Sequence, residues 1–102
     1  MSAFRIVLAA DARTQVLSIA RWWRTNRPKN PGLFLAELRA ATDRLGDAPR
    51  AGALYRVPRV EGLRRLLLPR TGYYLYYTVD DAASVVEIAA VWHTARGAGP
   101  FR

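Results

Sequence analysis

The chain has 102 residues, with 16 Lys and Arg against 8 Asp and Glu, and a formal charge of +8 with its one histidine neutral. With 51% apolar residues this length supplies one hydrophobic core and hardly a second, so a single domain is expected over residues 1–102. The absence of cysteine excludes a disulfide framework, a zinc ribbon, a thiol nucleophile and a redox switch. His93 alone builds no metal cluster, so neither a metal nor any other cofactor is expected.

The longest uncharged stretch, Thr71 to Val79, has nine residues, against the roughly 20 a spanning helix needs, and no membrane anchor is predicted. Phe4 to Ala10 is short and apolar, but Arg5 interrupts it and no basic region precedes it. It reads as a first strand rather than a secretory leader, which makes the protein cytoplasmic.

In chain order, the strand Phe4 to Ala9 is followed by Asp11, a residue suited to cap a helix. Ala12, Val16, Ile19, Ala20 and Trp23 then recur on one helical face as far as Asn26. The cluster Asn26-Arg27-Pro28-Lys29-Asn30-Pro31-Gly32 breaks that helix, with Asn30-Pro31 supplying an N-cap and a first-turn proline for the next. Phe34, Leu38, Ala41 and Leu45 mark a second amphipathic helix that runs to Gly46, a residue suited to ending it. The short link predicts an antiparallel helical hairpin with one shared apolar face.

After Gly52 the period changes to that of strands. Leu54 to Val57, Leu63 to Leu68, Tyr73 to Val79 and Val85 to His93 are separated by turn signals and suggest an antiparallel meander. Alternation puts Tyr73, Leu75, Tyr77 and Val79 on one face and Val86, Ile88, Ala90 and Trp92 on one face, leaving Tyr74 and Tyr76 opposite Tyr73 and Tyr77. The predicted layout is β-α-α-β-β-β-β, an α+β fold of two layers in which an antiparallel sheet packs on the helical hairpin.

The charge is unevenly spread. Residues 12–32 carry Arg13, Arg21, Arg24, Arg27 and Lys29 with no acid, a net of +5, and residues 53–79 net +4. Residues 80–92 net −3. Such an excess calls for an acidic partner. Arg64 and Arg65 are adjacent on a strand, so one of them points to the buried side, where an arginine needs an anion. Trp22 sits about 110° from the centre of the first helix's apolar stripe and is a candidate partner contact. His93 and Arg96, three residues apart after the last strand, are the minimal equipment for metal-free RNA cleavage, with the histidine as general acid and the arginine on a phosphate.

Taken together, the strand, helical hairpin and meander, with Leu63-Arg64-Arg65, Tyr73-Tyr74-Leu75-Tyr76-Tyr77 and the ending Val91-x-His93-x-x-Arg96, resemble the RelE/ParE family of toxins from type II toxin–antitoxin modules. The resemblance covers nearly the whole chain. It implies a growth-inhibiting toxin, of the kind tied to plasmid stabilization, neutralised by an acidic antitoxin that wraps around it. ParE-like members inhibit DNA gyrase without known cleavage, and RelE-like members are ribosome-dependent mRNA endonucleases. RelE-like sites are crowded with basic residues including lysines, with an Arg and often a Tyr or His near the C-terminus, whereas Lys29 is the only lysine here and lies between the helices; with the long paired helices and the His93-x-x-Arg96 ending, the ParE-like branch is the closer match. On that branch no catalytic residue is expected. On the nuclease alternative Arg65 and Arg96 hold the phosphate, His93 is the acid and Tyr77 orients the substrate. The residues expected to meet the antitoxin are Arg21, Trp22, Arg24 and Arg64.

Overall fold

The computed structural model describes residues 3–97 and 99–101. In chain order it has β1 (Arg5–Leu8), α1 (Ala10–Asn26), α2 (Leu33–Asp47), β2 (Ala53–Leu54), β3 (Arg64–Leu68), β4 (Tyr73–Asp80), β5 (Val85–His93) and one 3-10 turn, Thr94–Arg96. The five strands form one sheet in the order β1-β5-β4-β3-β2. The meander from β2 to β5 is antiparallel throughout, as expected. The sheet as a whole is mixed rather than antiparallel, because β1 lies parallel to β5, pairing Arg5 with Val85 and Leu8 with Ile88. A parallel neighbour requires a long crossover, and the helices and the meander together provide it.

Both helices lie on one face of the sheet. Their apolar stripes, Ala12, Val16, Ala20 and Trp23 from α1 and Phe34, Leu38, Ala41 and Leu45 from α2, form one core with Leu66, Leu68, Tyr73, Leu75, Tyr77, Val86, Ile88 and Val91 of the strands. Phe34, Leu45, Leu75, Tyr77, Val86 and Ile88 are wholly inaccessible, and each such large apolar side chain contributes about 1.5–3 kcal/mol by leaving water. A smaller cluster on the opposite face joins Leu63, Tyr76 and Ala90 with the half-buried Tyr55, Tyr74, Trp92 and Phe101.

Four expected features differ in the structure. The residue capping α1 is Ala9, not Asp11. Its amide is already held by the Ile88 carbonyl at 2.9 Å, so the chain turns directly from sheet to helix, and Asp11 sits in the first turn, where a carboxylate still suits the positive end of the helix. Likewise α2 is capped by Gly32 rather than Asn30, and it extends through Gly46 to Asp47. Gly46 is buried inside the helix, and its carbonyl accepts the Phe4 amide at 3.1 Å. The strand expected over Leu54–Val57 is only Ala53–Leu54, after which Val57 makes an isolated bridge to Val60.

The fourth difference is the most consequential. The pairing of β4 with β5 steps from Tyr77–Ile88 to Tyr76–Ala90, leaving Ala89 as an extra residue. This β-bulge reverses the alternation beyond it. Val86 and Ile88 face the helices as expected, but Ala90 and Trp92 belong to the opposite face, and Val91 takes their place in the main core.

Two contacts tie distant segments together. The Glu37 carboxylate of α2 accepts the amides of Arg70 at 2.7 Å and Thr71 at 2.9 Å and the Thr71 hydroxyl at 2.7 Å, pinning the β3–β4 turn to the helix. Gly52 lies against the sheet so closely that an added Cβ would stand 2.6 Å from the Arg65 carbonyl oxygen and 2.7 Å from the Tyr77 hydroxyl. Because the first of these is backbone, Gly52→Ala should destabilise the fold by about 1–3 kcal/mol in urea unfolding. An unchanged midpoint would show that the 48–54 segment shifts freely.

Candidate functional site

An open cleft of about 790 Å³ lies between α1 and the end of the sheet. One wall is α1, contributing Gln15, Ser18, Ile19, Trp22 and Trp23, with Arg27 just past its end; the other wall is Tyr73, Val91, His93 and Arg96. Its floor is aromatic. The Trp23 indole N–H donates to the Tyr73 hydroxyl at 3.4 Å, and the Tyr73 ring meets Phe34 and His93 edge to face at centroid distances of 5.1 and 4.8 Å. Trp22 is 44% exposed on the rim, packs edge-on against Trp23 and carries the Arg27 guanidinium 4.9 Å from its ring centre.

The bulge at Ala89 is what brings His93 into this cleft, since strict alternation from Ile88 would have placed His93 on the outer face. The His93 Nδ1 accepts the Ala95 amide at 3.0 Å, so the neutral ring carries its proton on Nε2. Nε2 in turn lies 3.2 Å from where a Cβ on Gly72 would stand. Gly72 has φ +84°, and its backbone brings the β3–β4 turn against the imidazole. His93 thus caps the 3-10 turn that ends in Arg96. The Arg96 guanidinium stacks on Trp92 at 3.9 Å, whose indole nitrogen is buried without a hydrogen-bond partner.

The four residues fitted to a nuclease are not brought together. His93 and Arg96 share the cleft. Arg65 is on the opposite face of the sheet, its guanidinium 4.6 Å from the Tyr55 ring and 4.1 Å from the Tyr74 ring. Tyr77 is buried in the helix-side core, where its hydroxyl accepts the Gly52 amide at 2.8 Å. Among the expected antitoxin contacts, Arg21, Trp22 and Arg24 are exposed along α1. Arg64 is the inward member of the Arg64-Arg65 pair, and it is satisfied by carbonyl groups, donating to Gly52 at 2.8 Å and more weakly to Arg50 at 3.4 Å. It therefore needs no anion. Among the described residues the one ion pair joins Arg50 to Asp81 across exposed surface, so almost all of the basic charge is left for a partner.

Sequence reasoning missed Gln15. Its side-chain carbonyl accepts the Val91 amide at 2.7 Å, closing the edge of β5 just beyond the end of β1. Its position beside the Ala12–Val16–Ile19 stripe was the available signal. Among the described residues no three His, Cys, Asp or Glu groups cluster as metal ligands, and no helix is long and apolar enough to cross a membrane.

This architecture is shared with toxins of type II toxin–antitoxin modules. The chain superposes on the chromosomal ParDE system of P. aeruginosa with a TM-score of 0.69 at 16% identity, covering 89% of this chain and 96% of that one. For the RelBE2 toxin–antitoxin complex of Mycobacterium tuberculosis the TM-score is 0.61 at 23% identity, covering 89% and 98%. The isolated RelE toxin of E. coli gives 0.58 at 22%, covering 89% and 84%. No curated protein sequence matches the chain. The family model of the ParE toxin of the type II toxin–antitoxin system parDE matches residues 6–97, and the chain belongs to that family.

The buried Tyr77 phenol has its pKa raised, chiefly by burial, against the opposing pull of the Gly52 amide and of Arg64, Arg44 and Arg50. A raised folded value means that the stability Tyr77 contributes is complete below the unfolded pKa of about 10 and is lost as pH rises through the folded value. Tyr77→Phe should remove that part of the alkaline decline in unfolding free energy, while lowering stability at neutral pH by about 1–3 kcal/mol because the Gly52 amide is left unpaired. An identical alkaline slope in the variant would rule out Tyr77 as its source.

Proposed function

We propose that this chain arrests DNA gyrase in the cytoplasm by binding, without chemistry of its own, and that an acidic cognate antitoxin silences it. The observation that carries this reading is the match to the ParE family over residues 6–97. Its physical support is that the residues a nuclease would use are divided between two faces of the sheet, with Tyr77 locked to the Gly52 amide and Arg65 clamped between Tyr55 and Tyr74. Positioning is most of what a metal-free site can offer a reaction, and side chains on opposite sides of a sheet do not share one phosphate. Inhibition by binding asks only for a stable surface, and the unneutralised arginines and the exposed Trp22 provide one.

Purified toxin at micromolar concentration should block supercoiling of relaxed plasmid by gyrase; unaffected supercoiling sinks the proposal. The rival reading, ribosome-dependent cleavage of mRNA, rests on His93 and Arg96 lining one cleft. It expects new 5′ ends in primer extension after induction, abolished by His93→Ala or Arg96→Ala.

For the antitoxin, the exposed basic row of α1, with Arg21 and Arg24, is the proposed contact. Reversing both charges, Arg21→Glu with Arg24→Glu, should weaken antitoxin affinity at least tenfold, since like charges across an interface cost several kcal/mol. Unchanged affinity would make that row ordinary solvated surface.

A further inference from the structure

The cleft between α1 and β5 carries binding chemistry that the fold itself does not use. Two cations are fixed in it. Arg27 lies over the Trp22 ring, 4.9 Å from its centre, with one N–H donated to the Asn26 carbonyl at 3.1 Å. Arg96 lies 3.9 Å from the centre of the Trp92 ring. A guanidinium seated on a ring has already lost much of its rotamer freedom, so ordering it around an anion costs less than ordering a free arginine. Neither has a carboxylate partner: no Asp or Glu among the described residues lines the cleft, and the one ion pair among them joins Arg50 to Asp81 elsewhere.

The same cleft has aromatic walls. Trp22 meets Trp23 at 71° and Tyr73 meets His93 at 90°, so these rings line more than one side of the space instead of stacking it shut. His93 adds a neutral donor, because its Nδ1 accepts the Ala95 amide and its Nε2–H has no acceptor among the described residues. Backbone donors are not on offer: the Val91 amide at the cleft wall is already met by the Gln15 side chain at 2.7 Å. What remains is side-chain chemistry, an aromatic surface beside two guanidinium groups and an imidazole N–H. The volume of about 790 Å³ falls within the roughly 300–1,000 Å³ of sites that enclose small molecules. A nucleic acid, whose affinity grows with the number of phosphates neutralised, asks for a longer row of cations than this pair.

We propose that this cleft is a binding site for a small planar aromatic carboxylate, a free molecule rather than a segment of protein. Its ring lies against Trp22, Trp23 and Tyr73. Its carboxylate takes N–H donors from Arg96 and His93, which share one wall, and Arg27 adds charge from the α1 side; guanidinium groups match carboxylates in both geometry and sign. Gln15 keeps the strand edge closed while the site is filled. Arg21 and Arg24, the residues assigned above to the antitoxin, do not line the cleft.

The test titrates the full chain, free of any partner, with cinnamate as the probe, following the Trp22 and Trp23 indole N–H signals by NMR and thermal unfolding in parallel. Saturable binding with a Kd below about 1 mM is expected, with shifts confined to the cleft and a melting temperature that rises with cinnamate concentration. Cinnamyl alcohol, which keeps the ring and lacks the charge, and acetate, which keeps the charge and lacks the ring, should each bind at least tenfold more weakly. Arg27→Gln and, separately, Arg96→Gln should each weaken cinnamate about tenfold, the loss of one charged hydrogen bond. Because Arg96 also ends the turn capped by His93, Arg27→Gln, on exposed chain beyond α1, decides the matter if Arg96→Gln fails to fold. Equal binding of the alcohol, or unchanged affinity in Arg27→Gln, overturns the proposal, because the cleft is then an unselective apolar groove. Equal binding of acetate, or shifts that spread over the surface without saturating, overturns it as well, because the rings then contribute nothing. Each of these outcomes leaves the gyrase and antitoxin readings standing, since those are tested with macromolecules.

Discussion

The extra residue at Ala89 governs how this molecule divides its chemistry. A strand has a period of two, so one inserted residue exchanges the faces of everything beyond it. Before the bulge, Val86 and Ile88 fill the helix-side core; after it, Val91 continues that core while Ala90 and Trp92 turn outward. The same shift delivers His93 to the α1 cleft and leaves Trp92 beneath Arg96. Without it the cleft would have a tryptophan in place of its imidazole.

The arginines follow a second constraint, which is that a guanidinium withdrawn from water must find acceptors or a π face. Arg64 finds carbonyl oxygens of Gly52 and Arg50, and Arg65, one residue on and facing the other way, lies over Tyr55 and Tyr74. Neither spends its charge on a carboxylate, and the single ion pair among the described residues, Arg50 with Asp81, is solvent-exposed and worth little. The net charge of +8 is therefore structurally supported and electrostatically unanswered. That combination favours association with an acidic partner and leaves its own fold dependent on packing rather than on charge pairing.

Much of this architecture was legible in the sequence for simple reasons. The helical stripes of Ala12 to Trp23 and Phe34 to Leu45 recur at helical spacing because a single sheet face selects them. The strands from Leu63 to His93 stand out because β-branched and aromatic residues fill a two-layer core. What escaped depends on contacts distant in sequence. Asp11 has the right chemistry for a cap, but the Ile88 carbonyl had already fixed where the helix begins. Gly46 has the right chemistry for a helix end, but the chain entering β1 makes use of its carbonyl inside the helix. No local pattern marks the bulge, because Ala89 and Ala90 are each acceptable on either face, and the parallel pairing of β1 joins residues about eighty apart. The proposed site was only half visible for the same reason: Trp22, His93 and Arg96 could be picked out by residue type, whereas Gln15 acquires its role only from Val91 across the fold.

The spacing His93-x-x-Arg96 suggested an acid and a phosphate ligand, and the geometry gives that spacing another physical meaning. His93 caps a single 3-10 turn through Nδ1, and Arg96 is the last residue of that turn. The single turn after the strand end brings Arg96 back to the cleft that His93 already lines. The Nδ1 acceptor of that histidine is already engaged by the Ala95 amide, which ties the ring to the turn. The imidazole thereby holds the turn that ends in Arg96. The cleft thus gathers an aromatic floor and two guanidinium groups, Arg27 and Arg96, with no Asp or Glu among the described residues, and the His93-x-x-Arg96 spacing supplies one of those cations through local turn geometry.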